Sequence, residues 1–180
     1  MKTLFILSLL SFVTFRLEAS VGGQDLFSDK KLEVTSGKLG TVVIFLSAKC
    51  PCSNSHLGIV KNLAAEFKEY NFVAVHANSD ETADQARGYF KNADLGIPVI
   101  EDSRSILANE YKANRTPDAF LIAANGKILF AGGVTNSHEG GSAEKQYLRD
   151  ALLDARAGRE VKVAKARTLG CAISRGSHGS

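Results

Sequence analysis

The chain has 180 residues, 44% hydrophobic and 23% charged. That is the size of about one domain and the composition of an ordinary globular protein. It excludes a wholly disordered chain, a collagen-like chain and a multi-span membrane protein. Lys and Arg number 22 against 19 Asp and Glu, for a net charge of +3, less than a nucleic-acid-binding domain usually concentrates.

Met1 to Ala19 reads MKTLFILSLLSFVTFRLEA. Lys2 is a short basic start, Leu4 to Val13 is an apolar run without charge, and Leu17-Glu18-Ala19 offers a small residue for cleavage. This is the pattern of a secretory signal peptide, too short in its apolar part to span a bilayer. The expected division is a leader over 1–19, one domain over 20–160, and a partly disordered tail over 161–180. The mature protein is then secreted, into a periplasm-like space where thiols can oxidise and no membrane anchor remains.

Val21 to Leu32 is polar and Gly-rich, an entry segment with one short strand around Leu32-Glu33-Val34. Thr41 to Leu46 is a continuous β-branched and apolar run, the signature of a strand buried on both faces. Cys50-Pro51-Cys52-Ser53-Asn54 breaks it. Leu57, Val60, Leu63, Ala64 and Phe67 then recur at helical spacing. Ser53 or Asn54 is the expected cap of this helix, and Pro51 suits its entry.

Phe72 to Val75 is a second buried strand, and Asp80 to Asn92 a helix whose start Asp80 and Glu81 would cap and charge. Pro98 to Ile100 is a short strand and Ser103 to Tyr111 a helix. Ala119–Ile122 and Ile128–Phe130 form a hairpin around Asn125-Gly126, the strongest short-range turn signal. Ser142 to Ala157 is the last helix, stopped by Gly158. Alternating strands and helices specify an α/β fold: a central mixed sheet, mainly parallel and flanked by helices. The tail is basic through Lys162, Lys165, Arg167 and Arg175 but carries no interleaved aromatics, so it reads as solubilising.

Chemistry concentrates at the cysteine turn. Cys50 falls where a buried strand hands over to a helix, the edge at which open α/β sheets place ligands. Unpaired helix N–H groups favour a thiolate there, and Lys49 adds a positive field. Cys52 lies two residues away and Cys171 lies in the tail. Three thiols allow at most one intramolecular pair, leaving one over. A Cys50–Cys52 bond would close a very small strained ring, so the preferred pair joins one of the turn cysteines to Cys171. Which one stays open, and a bond that only staples the tail to the domain is the rival reading.

Four segments carry a family resemblance: Ser47-Ala48-Lys49-Cys50-Pro51, Arg115-Thr116-Pro117-Asp118-Ala119-Phe120, Phe130-Ala131-Gly132-Gly133-Val134 and Leu169-Gly170-Cys171-Ala172-Ile173. Together they resemble the thioredoxin superfamily, and within it the secreted peroxiredoxin-like redoxin proteins (AhpC-TSA-like). The resemblance implies a thioredoxin-like fold with a cis Pro117 lying against Cys50. It also implies Cys50, Cys52 and Cys171 as catalytic residues, and Ser47, Arg115, Thr116 and Pro117 as groove residues that meet substrate. The chain departs from the family in two places. Ser53 stands where a Cys-x-x-Cys motif has its second thiol, and Val43 stands where a peroxiredoxin has proline.

The resulting expectation is a thiol-based oxidoreductase without a cofactor. Cys50 attacks a protein disulfide or a small hydroperoxide, and a thiol donor restores it. Two alternatives are a Cu(I) carrier built on Cys50, Cys52 and His56, since thiolates favour Cu(I), and a redox-inactive binding module. His56 reads more simply as a solvated helix residue and His76 as a hydrogen-bonded strand end on the same sheet edge as Cys50. His138 reads as an exposed loop residue without a chemical task.

Overall fold

The computed structural model describes residues 20–176. The expected leader and the last residues of the tail lie outside that range. Nine strands and four helices follow in order: β1 (Ser20–Asp25), β2 (Lys31–Thr35), β3 (Gly40–Leu46), α1 (Pro51–Glu66), β4 (Tyr70–His76), α2 (Ala83–Ala93), β5 (Val99–Glu101), α3 (Ile106–Glu110), β6 (Arg115–Thr116), β7 (Asp118–Ala123), β8 (Ile128–Gly133), α4 (Tyr147–Arg156) and β9 (Cys171–Ala172). Seven strands form one mixed sheet in the order β2-β1-β5-β4-β3-β7-β8, and β6 pairs with β9 in a separate two-stranded ribbon.

β3 lies between β4, parallel to it, and β7, antiparallel. Every residue of β3 is buried. Its side chains alternate between two cores, as a strand covered on both faces requires. Val42, Ile44 and Leu46 pack with Val60, Leu63, Phe90, Leu148 and Leu152 of α1, α2 and α4. Val43 and Phe45 pack on the opposite face with Leu107 and Ala108 of α3 and with Ile173 of the tail.

The sheet is mainly antiparallel and not mainly parallel as expected, since only β3–β4 and β4–β5 pair in parallel. Three local expectations are also corrected. The entry segment forms a full strand, β1, between β2 and β5. Gly23 allows it, because a Cβ there would run into the Ile100 side chain. The cap of α1 is neither Ser53 nor Asn54: Pro51 occupies the first turn, so Cys50 takes the cap position and its sulfur accepts the Ser53 amide at 3.5 Å. α2 begins after Thr82, which makes a capping box with Gln85, and this leaves Glu81 outside the helix.

The segment after residue 160 packs on the domain. Val161 and Ile173 are buried. Ala131 in β8 bonds to the tail twice, donating to Ala164 and accepting from Ala166. Asp118 accepts the Thr168 hydroxyl at 2.6 Å. Ile173 donates to the Asn114 carbonyl and Ser79 to the Ser174 carbonyl. Further on, Arg175 grips Asn109 and Asn114.

Candidate functional site

Two thiols come from the start of α1 and the third from β9. The sulfurs of Cys50, Cys52 and Cys171 all lie within 4.8 Å of one another, and all three are free thiols. Cys50 is buried, whereas Cys52 and Cys171 are partly exposed. The Cys50 thiol donates to the Thr116 carbonyl at 3.2 Å. The Thr116–Pro117 bond is cis, as the resemblance implied.

The three thiols do not ionise alike. Burial works against a charge on Cys50. Hydrogen bonds from the Cys171 thiol and the Ser53 amide outweigh it, and bring its pKa down to about 7. Burial pushes Cys171 up to about 12, helped by its bond to Cys50 and by the nearby Cys50 charge. Burial and Cys50 together raise Cys52 as well. Cys50 is therefore the first of the three thiols to lose its proton.

A buried chain of polar groups fixes the turn before Cys50. The Cys50 amide donates to Ser47 Oγ at 3.1 Å, and Ser47 Oγ donates to the Glu81 carboxylate. Glu81 also accepts the Ala48 amide at 2.8 Å and the Lys49 amide at 3.3 Å. Behind it, His76 lies 3.0 Å from Glu81 and 2.9 Å from Glu101. Burial disfavours the His76 charge, but its bonds to Glu101 and Glu81 raise its pKa to about 9. Burial likewise opposes the Glu81 charge, but His76, Ser47 and the Ala48 amide hold it at about 2. The pair is thus an ion pair near neutrality, and its negative end is spent on the backbone of the cysteine turn.

This reassigns several residues. Ser47 anchors the turn and does not line a groove. Glu81 does not charge the start of a helix. The Lys49 ammonium donates to the Asp80 carbonyl at 2.5 Å. Arg115 donates to the Gly170 carbonyl at 2.7 Å, so it holds the tail beside Cys171. Thr116 and Cys171 are register partners in the β6–β9 ribbon. Thr116 therefore faces the sulfurs through its carbonyl, while the chain's own tail fills its pairing edge. Gly170 permits this approach, because a Cβ there would run into the Thr116 carbonyl.

His56 is buried, not solvated. Its Nδ1 donates to the Cys52 carbonyl at 2.7 Å and its Nε2 accepts from the Thr135 hydroxyl at 2.8 Å. Burial lowers its pKa despite the bond to Cys52, so the ring stays neutral. With both nitrogens engaged it offers no lone pair to a metal, and it does not join Cys50 and Cys52 as a ligand set. His138, expected to be idle, places Nδ1 at 3.5 Å from the Cys52 sulfur. Its loop is tied to α1 by Ser55, which donates to the His138 carbonyl at 3.1 Å and accepts the Gly140 amide at 3.3 Å.

Three comparisons bear on identity. Residues 15–150 match the family model for Redoxin. The chain is 26% identical over 101 residues to the thiol-disulfide oxidoreductase ResA of Bacillus cereus (strain ZK / E33L), covering 56% of this chain and 58% of that protein. It therefore spans less than two thirds of that relative's length. Among solved structures, an uncharacterized conserved protein from Geobacillus kaustophilus superposes with a TM-score of 0.78 at 20% identity, covering 89% of this chain and 91% of its own. A secreted Mycobacterium tuberculosis disulfide oxidoreductase superposes with a TM-score of 0.52 at 17% identity, over 60% and 79% of the two chains. These two likenesses concern the fold, which is α/β and thioredoxin-like. With the cysteine turn, the cis Thr116–Pro117 bond and the family match on one chain, the protein belongs to the Redoxin family.

Proposed function

We propose that the protein is a thiol-disulfide oxidoreductase in which Cys50 is the nucleophile and Cys171 resolves the adduct. One observation carries this reading: an acidified sulfur at a helix start lies within 4.8 Å of a tail thiol that stays protonated. The Cys50 thiolate attacks a substrate disulfide, forming a mixed disulfide and releasing one substrate thiolate, which takes up a proton. Cys171, giving its proton to solvent, attacks the Cys50 sulfur. The second substrate thiol leaves and a Cys50–Cys171 bond remains. Two electrons have passed from the protein to the substrate, and an external dithiol returns them.

Disulfides suit the site better than hydroperoxides. A peroxide reaction calls for a guanidinium against the sulfur, and Arg115 is committed to the Gly170 carbonyl. Kinship to ResA, a thiol-disulfide oxidoreductase, supports the same chemistry. The signal-like leader and the secreted mycobacterial neighbour support work outside the cytoplasm. No helix among the described residues is long and apolar enough to cross a membrane.

The test is trapping. Reduced wild-type protein mixed with a small aromatic disulfide should finish as an intramolecular bond that contains Cys171. The Cys171→Ser variant should accumulate the mixed disulfide on Cys50, and Cys50→Ser should form neither. A wild-type protein that returns from the mixture with all thiols free would overturn the reading.

A further inference from the structure

Disulfide exchange uses two sulfurs, and this site holds three. Cys50 and Cys52 project from the start of α1 and Cys171 from β9, with all three sulfurs within 4.8 Å. His138 Nδ1 lies 3.5 Å from the Cys52 sulfur, on a loop that Ser55 pins at two points. Three thiolates and one imidazole are a donor set that closes a tetrahedral zinc site.

The dimensions fit. Sulfurs bound to zinc at about 2.3 Å in tetrahedral geometry stand about 3.8 Å apart, inside the 4.8 Å limit of the cluster. The chemistry fits as well. Glu81, the carboxylate nearest in the turn network, is turned inward and saturated by Ser47, Ala48 and His76. The cluster therefore presents sulfur and nitrogen with a single hard oxygen beside them, the Thr116 carbonyl, too few for calcium or magnesium. Charge decides between the soft ions. Three thiolates around a divalent ion leave one net negative charge, which the N-terminal end of α1 stabilises. A monovalent ion would leave two in a half-buried place.

We propose that the fully reduced protein binds one divalent ion of the zinc class through Cys50, Cys52 and Cys171, with His138 as the fourth donor. Binding releases the thiol protons to solvent and transfers no electrons. Forming a disulfide between any two of these cysteines removes two donors, so metal loading and oxidation exclude each other.

The experiment uses the full chain, fully reduced, with Zn(II) alone as probe in competition with a chromophoric chelator. Co(II) substitution reports the ligands by its thiolate-to-metal charge-transfer bands. One equivalent of Zn(II) is expected. Cys171→Ser should weaken binding by more than the roughly 10–100-fold that losing an outer partner costs. His138→Ala, in an exposed loop that leaves the fold intact, should weaken it at least about tenfold and change the cobalt spectrum. Absence of stoichiometric Zn(II) uptake, unchanged affinity in both variants, or uptake of Cu(I) without Zn(II) would overturn the proposal. Disulfide trapping is measured without metal, so the two readings fail independently.

Discussion

Across 33 residues of sequence, the Glu81 carboxylate takes the backbone amide of Ala48 at 2.8 Å. A buried acid is thereby wired to the turn that presents Cys50. Replacing Glu81 by Ala strands the buried His76 and frees three donors of the turn. The expected loss is about 3 kcal/mol of stability, measured by urea unfolding. Glu81→Gln keeps an acceptor oxygen and should fall between Ala and wild type. In both variants the Cys50–Cys171 bond should form more slowly on oxidation, a readout that a purely structural role away from the turn would not move.

The same ion pair sets a pH window. His76 is raised from its ordinary 6.5 to about 9, so its stabilisation is complete below 6.5 and is lost as pH rises through 9. Glu81 is lowered from 4.5 to about 2, so its contribution is complete above 4.5 and is lost as pH falls toward 2. The pair contributes most between pH 4.5 and 6.5. The urea midpoint of the wild type should drop from about pH 5.5 to about pH 9.5 by more than that of His76→Gln. Equal drops would remove His76 from the account.

Gly170 lies where β9 comes closest to β6, and a methyl group there would run into the Thr116 carbonyl. Gly170→Ala should open the β6–β9 ribbon and carry Cys171 away from Cys50. Hydrogen exchange at residues 171–173 should accelerate, while exchange in β3 stays unchanged. On mild oxidation the Cys50–Cys171 bond should give way to free thiols or intermolecular bonds.

Arg115 separates tail anchoring from substrate contact. Its guanidinium holds the Gly170 carbonyl. Arg115→Ala should cost about 1 kcal/mol of stability and leave KM for a small disulfide substrate unchanged. A KM raised several-fold with stability intact would restore it to the groove.

Much of this was legible. The uninterrupted run Thr41–Leu46 and the Asn125-Gly126 hairpin mark the centre of the sheet, because burial on both faces and a tight turn each leave a local pattern. Cys50 at the strand–helix junction follows from the same local logic, whereas the cis Pro117 against it follows only from the resemblance to the thioredoxin superfamily. Glu81 was not, because an acid before a helix reads as a charge for that helix. Thr82 and Gln85, which form their own capping box, were the signal that Glu81 lay free. His56 could have been found by extending the helical period backwards, since Ser53, His56, Val60 and Leu63 share the buried face of α1. The packing of the tail was out of reach. Its contacts with Ala131, Asp118 and Thr116 are long-range, and a basic segment with isolated apolar residues such as Val161 and Ile173 gives no periodicity to read.

That tail also bears on self-association. The sheet has two rims, β2 and β8, and an uncovered rim of backbone donors and acceptors invites a second molecule to add its own strand. At β2 the exposed Lys31 and Glu33 provide charge against such stacking. At β8 the segment around Lys165 occupies the Ala131 position instead. A chain clipped before residue 160 would therefore lose its third thiol and bare a sticky margin in the same stroke.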